Sequence, residues 1–221
     1  MGVNIAIDGP AGAGKSTIAK KVAKELSFIY VDTGAMYRAM ALYLLKNRIS
    51  SKDTKAMEEA CQRAEISIVY EDGEQQVLLN GENVTGQIRT EEVGNMASIS
   101  SANEKVREKL VQLQQQLAKS ASVVMDGRDI GTKVLPDADV KIYLTASARI
   151  RAQRRCAQLK EKGEDCSLEE IEKDIMLRDE RDMNRKISPL RRAEDALVVD
   201  SSELSIDEVA GRILEICRGR C

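Results

Sequence analysis

Residues 3–16 read VNIAIDGPAGAGKS, and this stretch contains the strongest structural signal in the chain. Residues 3–7 are a nearly unbroken apolar run rich in β-branched side chains, which predicts a buried parallel strand. Residues 9–16 match the pattern G-x-x-x-x-G-K-S/T, and apolar residues recur at helical spacing over residues 17–26. The glycine-rich segment therefore lies between a strand and a helix, where a phosphate-binding loop is expected.

The residue types in this loop suit the phosphates of a nucleotide. Gly9, Gly12 and Gly14 allow backbone conformations that other residues avoid, so successive N–H groups can surround an anion. The N-terminus of the following helix adds partial positive charge at the same point. We expect Lys15 to contact the β- and γ-phosphates and the Ser16 hydroxyl to be a ligand of Mg²⁺.

The composition limits the class of protein. A chain of 221 residues is long enough for one α/β core with an insertion or a lid, and its formal net charge is −2. This balance gives no reason to expect binding to polymeric nucleic acid or to a membrane surface. Lys15 and the glycines interrupt the N-terminal apolar run, and no apolar stretch approaches the roughly 20 residues of a membrane span. We therefore expect neither a signal peptide nor a transmembrane helix.

The five cysteines contain no C-x-x-C pair, and we expect them to be free thiols in a reducing cytoplasm. They are Cys61, Cys156, Cys166, Cys217 and Cys221. Cys156 and Cys166 could be read as metal ligands, but the chain has no histidine to complete such a site. Without histidine the usual general base near pH 7 is also missing. Catalysis would depend on carboxylates, arginines, a lysine and a bound metal ion.

Four further apolar runs predict buried strands, at residues 28–31, 122–126, 140–144 and 196–200. Each predicted strand is mostly followed by a helix, which indicates a parallel α/β sheet with right-handed crossovers. Ligands collect at the carboxyl ends of such strands, so polar residues that follow the strands should share one edge. Asp126 ends its strand, where a carboxylate can bind Mg²⁺ through water.

A different pattern interrupts this alternation at about residues 64–90. This segment contains alternating apolar residues, a turn and then a second apolar run, which is followed by the dipeptide Asn80-Gly81. The pattern predicts two or three antiparallel strands. These strands contain too few apolar residues for a separate core, so we expect an insert within a single domain of residues 1–221. The insert is a candidate flap over a second substrate, and a purely structural role stays open.

Arginines are concentrated where polar segments follow the predicted strands. Arg38 lies one turn into a helix, where it could hold a second phosphate by a bidentate contact, and Arg128 follows Asp126. Two later helical segments carry Arg149, Arg151, Arg154, Arg155, Arg178 and Arg185. In the second of these segments Arg178, Asp182 and Arg185 fall on one helical face. Each of these sets of charged residues could instead lie on a solvent-exposed surface without a binding role.

Several classes of nucleotide-binding protein share such a loop. The chain has no guanine-reading Asn-Lys-x-Asp motif, which argues against a GTPase, and no acid directly follows Asp126, which argues against a motor-type ATPase. Phosphoryl transfer mainly needs positioning and charge neutralisation, and several arginines with Mg²⁺ supply both. A small-molecule kinase is favoured, and a nucleotide-dependent binding or regulatory protein stays open.

Four ordered motifs resemble those of the bacterial-type cytidylate kinases. They are DGPAGAGKS at 8–16, DTGAMYR at 32–38, DGRDIGT at 126–132 and RDERDMNR at 178–185. The resemblance covers essentially the whole chain. It implies a P-loop nucleoside-monophosphate-kinase core with a five-stranded parallel sheet, a small antiparallel β insert at about 64–90 and a helical lid at about 149–167. It also implies transfer of the γ-phosphoryl group of ATP to CMP or dCMP, with Mg²⁺.

The resemblance also implies a role for each matching residue. The residues implied for ATP are Gly9, Pro10, Ala11, Gly12, Ala13, Gly14, Lys15, Ser16, Thr17 and Arg154 of the lid. Those implied for CMP are Thr33, Arg38, Ser98, Arg107, Arg128, Asp129, Arg178, Asp182 and Arg185. The catalytic residues would be Lys15, Arg128, Asp129 and Arg185, and the metal ligand would be Ser16.

The resemblance implies different CMP-binding residues for the phosphate, the base and the ribose. Arg38, Arg128 and Arg185 would bind the phosphate, near Thr33, which stands where the family often has serine. The cytosine edge would be read by Ser98, Arg107 and Asp129, and the ribose held by Arg178 and Asp182. UMP or another small acceptor is the alternative substrate. We expect a cytoplasmic protein. We also expect a monomer, because no heptad or apolar stripe argues for assembly.

Overall fold

The computed structural model describes residues 2–71, 73–161 and 163–220. Three residues of the segments discussed above lie outside this part of the chain: Asp72 in the antiparallel insert predicted at about 64–90, Lys162 in the lid implied at about 149–167, and Cys221. The chain divides into two compact units. The first consists of Met1–Tyr30 with Ser120–Cys221, and the second of Val31–Lys119.

The described strands and helices follow the order that the sequence predicts. The strands are β1 (Asn4–Asp8), β2 (Ile29–Asp32), β3 (Ile66–Glu71), β4 (Glu74–Leu79), β5 (Glu82–Asn83), β6 (Val123–Gly127), β7 (Val140–Thr145) and β8 (Leu197–Asp200). The helices are α1 (Lys15–Leu26), α2 (Thr33–Lys46), α3 (Thr54–Arg63), α4 (Glu91–Ser100), α5 (Glu104–Ser120), α6 (Ala148–Glu161), α7 (Leu168–Asn184) and α8 (Ile206–Arg218). None of the helices among the described residues has the length and apolarity to cross a bilayer.

The predicted five-stranded parallel sheet is confirmed, with the order β2-β6-β1-β7-β8. The central strand, β1, pairs in parallel with β6 on one side and with β7 on the other. Its residues Ile5, Ala6 and Ile7 are fully buried, as expected for a strand covered on both faces. The register places Asp8 beside Gly127 of β6, so the ends of β1 and β6 lie at one edge of the sheet.

The second unit is built on α2 and α4, which pack together over a core of small and flexible apolar side chains such as Met36, Met40 and Met96. The predicted small antiparallel sheet is confirmed as the order β3-β4-β5, with Ile66 opposite Leu79. Apolar residues alternate with polar ones in these strands because one face of the sheet is partly buried, and every second side chain points to the same face. The segment at 64–90 is thus part of a larger unit that extends from Val31 to Lys119.

The expectation that the cysteines are free thiols is wrong for one pair. Cys156 in α6 and Cys166 before α7 are joined in a disulfide, with their Cα atoms 5.7 Å apart. The turn between the two helices brings together residues that show no motif in the sequence. Cys61 and Cys217 are buried thiols that form no disulfide among the described residues, in agreement with the prediction.

Candidate active site

The phosphate loop joins β1 to α1 in the predicted arrangement. Gly12 and Gly14 have φ angles of 75° and 87°, in the left-handed region that glycine enters without strain. A Cβ atom at Gly9 would collide with the carbonyl oxygen of Leu144, so the close approach of the loop to β7 also requires glycine. Ser16 and Thr17, in the first turn of α1, are exposed. The loop therefore presents its helix N-terminus to an incoming anion.

Lys15 points back along this loop, and its Nζ donates to the carbonyl oxygen of Pro10 at 2.7 Å. The side chain is buried, with 7% of the residue exposed. Burial lowers the pKa of Lys15 to about 7, and the positive charge of Arg128 acts in the same direction. Asp126 and Asp8 oppose this shift without cancelling it. The lysine thus lacks a full counter-charge, which the phosphates of a nucleotide can supply.

We expect ATP binding at pH 8 to take up close to one proton per enzyme. At that pH a group with a pKa of about 7 is about nine-tenths neutral, and bound phosphates would raise its pKa and restore the proton. At pH 6 this uptake should disappear, because the group is already protonated. Calorimetric titration in two buffers of different ionisation enthalpy measures the proton. Lys15→Arg is the control, because arginine stays protonated, and equal uptake by this variant would contradict the assignment.

Ser16 and Asp126 form the candidate metal site. The Ser16 hydroxyl donates to Oδ2 of Asp126 at 3.0 Å, and the Tyr30 hydroxyl donates to Oδ1 of the same carboxylate at 2.9 Å. Among the described residues no cluster of three or more His, Cys, Asp or Glu could hold a metal ion. One hydroxyl and one carboxylate still fit Mg²⁺, which keeps several waters and commonly binds together with substrate phosphates. Tyr30 fixes the carboxylate and was not identified from the sequence.

Asp8, at the end of β1, positions the segment that carries Asp129. Its carboxylate accepts from the backbone N–H groups of Ile130 at 2.8 Å and Gly131 at 2.7 Å. Burial raises the pKa of Asp8 to about 6, although these two N–H groups act in the opposite direction. The adjacent Asp129 is 4% exposed, and Oδ1 lies 3.8 Å from Nη2 of Arg185. Asp8 begins the motif at 8–16, but the sequence indicated its contact with the segment of Asp129 only through its position at the end of a strand.

Asp182 of α7 and Arg185, the residue after this helix, lie close to Arg128 and Asp129 respectively. Nε of Arg128 donates to Oδ2 of Asp182 at 2.9 Å, and the Arg185 Nε donates to the carbonyl oxygen of Ser188 at 2.6 Å. Burial alone would raise the pKa of Asp182, but the charges of Arg128, Arg185 and Arg178 hold it below its usual value. The structure therefore brings Arg128, Asp129 and the α7 residues together in the first unit. The arginines of this cluster can bind a phosphate ester.

The other predicted acceptor residues lie in the second unit. Nη1 of Arg38, on α2, donates to the carbonyl oxygens of Ile88 at 3.0 Å and Thr90 at 3.3 Å. The Arg107 guanidinium lies over the ring of Tyr37, 5.3 Å from its centroid, and donates to the Ser101 carbonyl at 3.1 Å. These contacts hold both arginines in defined positions within this unit.

Two further residues of the second unit belong to this set. Thr33 and Ser98 are buried at the start of α2 and within α4, with 3% and 8% exposed. Asp32 fixes the start of α2, since its side chain accepts from Ala35 N and pairs with Arg89 at 2.8 Å. The hydroxyl of Thr33 therefore sits on a well-anchored helix end.

Three arginines of α6 lie in the segment that the resemblance implies to be a lid, and their surroundings differ. Arg154 is partly buried and donates to the side-chain and backbone oxygens of Ser201. Arg151 is buried and bound to Asp179. Arg155 is exposed. Of the three, Arg155 alone extends into solvent, and Arg154 would have to leave Ser201 to contact a phosphate.

Comparison with known proteins relates this site to one family of kinases. The sequence profile described as cytidylate kinase matches residues 5–219. A cytidylate kinase of Caldicellulosiruptor bescii is 54% identical over 214 residues, which are 97% of this chain and 95% of that protein. A cytidylate kinase of Bacillus subtilis is 49% identical over 213 residues, covering 96% and 95% of the two chains.

Solved structures support the fold independently. A gluconokinase from Sinorhizobium meliloti superposes with a TM-score of 0.51 at 12% identity, covering 99% of this chain and 93% of that chain. A shikimate kinase from Bacteroides thetaiotaomicron gives a TM-score of 0.50 at 14% identity, with 98% of each chain covered. At such identities the likeness concerns the fold alone, which is that of the P-loop kinases of small molecules.

Proposed function

The chain belongs to the cytidylate kinase family, and from this premise we propose that it transfers the γ-phosphoryl group of ATP to CMP or dCMP, giving ADP and CDP or dCDP. The observation that carries the proposal is the identity of about half of all residues with cytidylate kinases over 97% of the chain. A phosphate loop beside a cluster of arginines is the chemistry that such a transfer needs.

For ATP, the proposed ligands are the phosphate loop of residues 9–17 and the Lys15 ammonium. The loop would bind through its backbone N–H groups, except at Pro10, which has none. The buried lysine at a helix N-terminus places positive charge where the β- and γ-phosphates would lie. Ser16 and Asp126 are the proposed protein ligands of Mg²⁺, Asp126 through water. When bound with ATP, the metal ion neutralises charge on the phosphates. Arg154 is proposed to contact ATP after it leaves Ser201.

For the acceptor, Arg128 and Arg185 are proposed to bind the CMP phosphate and to compensate the charge that moves during transfer. Asp182 holds Arg128 in place before the substrate arrives, so less reorganisation is needed. Arg38 is proposed as a further phosphate ligand, with Thr33 nearby in the chain.

The base and the ribose have their own proposed ligands. Ser98, Arg107 and Asp129 are proposed to read the cytosine edge, which offers one amino donor and ring acceptors. Arg178 and Asp182 are proposed to hold the ribose. Segments 64–90 and 149–167 are proposed as the acceptor-binding insert and the lid.

The test is a coupled assay of ADP release with ATP and Mg²⁺ against CMP, dCMP, UMP, AMP and GMP. We expect strong stimulation by CMP and dCMP and little by the others, because a site built for one base leaves its polar groups unpaired with another. Omission of the acceptor gives the background ATPase rate. Turnover of UMP without turnover of CMP would replace the proposal with its alternative, and stimulation by none of the five would overturn it.

The proposal includes a cytoplasmic monomer, because both substrates are cytoplasmic nucleotides and the chain has no apolar heptads. Analytical ultracentrifugation tests the monomer. A cytoplasmic location also implies that the Cys156–Cys166 bond is reduced in the cell, since disulfides are rare in that compartment.

A further inference from the structure

A buried ion pair between Arg151 and Asp179 contacts the phosphate loop, and neither residue is among the ligands proposed above. Nη2 of Arg151, in the first turn of α6, lies 2.6 Å from Oδ2 of Asp179 in α7. The two residues are 5% and 8% exposed. Oδ1 of Asp179 has no hydrogen-bond partner among the described residues, so this carboxylate is held by Arg151.

The rest of the Arg151 guanidinium is directed at the backbone. Nε donates to the carbonyl oxygen of Ala146 at 2.9 Å, at the end of β7, and Nη1 donates to the carbonyl oxygen of Ala11 at 2.8 Å. Ala11 belongs to the phosphate loop. The guanidinium therefore connects three points of the first unit at once, which its planar, fork-shaped set of donors allows.

The contact with Ala11 has a consequence for the next residue. The peptide bond between Ala11 and Gly12 is trans, so the carbonyl of Ala11 and the N–H of Gly12 point in opposite directions. Arg151 holds the carbonyl on the buried side, and Gly12 is exposed. The N–H of Gly12 is therefore aimed away from the protein, toward the side on which an anion can bind.

The packing of α6 supports the same arrangement. A Cβ atom at Gly12 would lie 3.3 Å from Cβ of Arg151, so the helix and the loop are in close contact. Three residues further along α6, Arg154 binds Ser201, whose hydroxyl lies 3.5 Å from the carbonyl oxygen of Ala13. The carbonyl of Ala11 thus contacts α6 directly, and the carbonyl of Ala13 contacts Ser201, which Arg154 of α6 binds.

We infer that Arg151 and Asp179 are positioning residues for the phosphate loop. Asp179 orients the guanidinium, and Arg151 fixes the Ala11 carbonyl so that the Gly12 N–H is directed at the phosphates. The inference rests on the proposed function, because it takes the ligand to be ATP. The pair differs from an ordinary surface ion pair because it is buried and because its third partner is a loop carbonyl rather than another charge.

The test measures nucleotide binding separately from turnover. We expect Asp179→Asn to weaken the binding of ADP with Mg²⁺ on the order of 10- to 100-fold, as for a displaced positioning group. The Kd for CMP should stay within about threefold, since the loop does not contact the acceptor. Isothermal titration calorimetry gives both constants. The matched control is Asp174→Asn, an exposed aspartate on the same helix, which should bind ADP as the wild type does.

A second variant keeps the test decisive if Asp179→Asn does not fold. Arg151→Lys retains the charge opposite Asp179, but an ammonium cannot reach Ala11, Ala146 and Asp179 together. We expect it to melt near the wild-type temperature and to bind ADP at least about tenfold more weakly. Wild-type affinity for ADP in a folded variant at either position would overturn the inference, as would a wild-type protein that binds no ADP. A wild type that binds ADP but does not phosphorylate CMP would contradict the proposed function alone.

Discussion

Lys15→Met should lower kcat by about 10³-fold while the protein stays folded. The Lys15 ammonium donates to the Pro10 carbonyl of the phosphate loop, and the variant removes this charge from the proposed site of the transferred phosphoryl group. A 10³-fold loss corresponds to about 4 kcal/mol of transition-state stabilisation. Methionine has a similar length and fills the same buried space.

The stability of this variant has a definite expected sign. Because burial lowers the pKa of Lys15 to about 7, the folded protein disfavours the charged form relative to the unfolded chain. Replacement by an apolar side chain should therefore leave the melting temperature unchanged or raise it. ADP release and thermal unfolding measure the two effects. Lys24→Met is the control, an exposed lysine on the same helix, and it should change neither quantity. Turnover by Lys15→Met within about threefold of wild type would contradict the assigned role.

Asp129→Ala should lower kcat/KM for CMP by about 10³-fold, with the Kd for ADP changed by less than about threefold. Asp129 is buried and lies on a segment that Asp8 anchors through Ile130 and Gly131. The backbone should thus keep its position when the carboxylate is removed. The variant should therefore lose interactions with CMP and keep those with ADP. A matched control is Asp137→Ala, an exposed position on the same connection.

A conservative variant at this position tests the reading of the base. Asn keeps one acceptor oxygen and adds a donor, which can pair with the O4 atom of uracil where CMP presents an amino group. We expect Asp129→Asn to lower the ratio of kcat/KM for CMP to that for UMP. An unchanged ratio together with unchanged CMP turnover would show that Asp129 does not read the base.

The elements of the fold could be predicted because their signals are local. The apolar run of β1, the glycines at 9, 12 and 14 and the helical spacing in α1 all lie within one short stretch. The pattern Ser205-x-x-Glu208 is that of a capping box, and α8 begins with one: the Ser205 side chain accepts from the Glu208 N–H, and the Glu208 side chain accepts from the Ser205 N–H. The alternation in β3 and β4 likewise predicts their antiparallel pairing.

The order of the strands could not be read from the sequence. β6 lies between β2 and β1, although β2 follows β1 along the chain. A right-handed crossover allows a strand to be placed at either side of an existing sheet, and the choice depends on how the whole surface packs. The extent of the second unit could not be predicted from the sequence either, because its core is formed by residues of α2, α4 and the small sheet together.

The phosphate loop, the alternation of strands and helices, and the arginines and acids available for chemistry can be read from the sequence. The partners of these residues depend on the folded chain: Asp8 binds the backbone after Asp129, Tyr30 binds Asp126, Asp179 binds Arg151, and Cys156 is joined to Cys166. The physical reason is that local propensity and periodicity act over a few residues. Hydrogen bonds and ion pairs between distant segments depend on which surfaces meet when the core is packed.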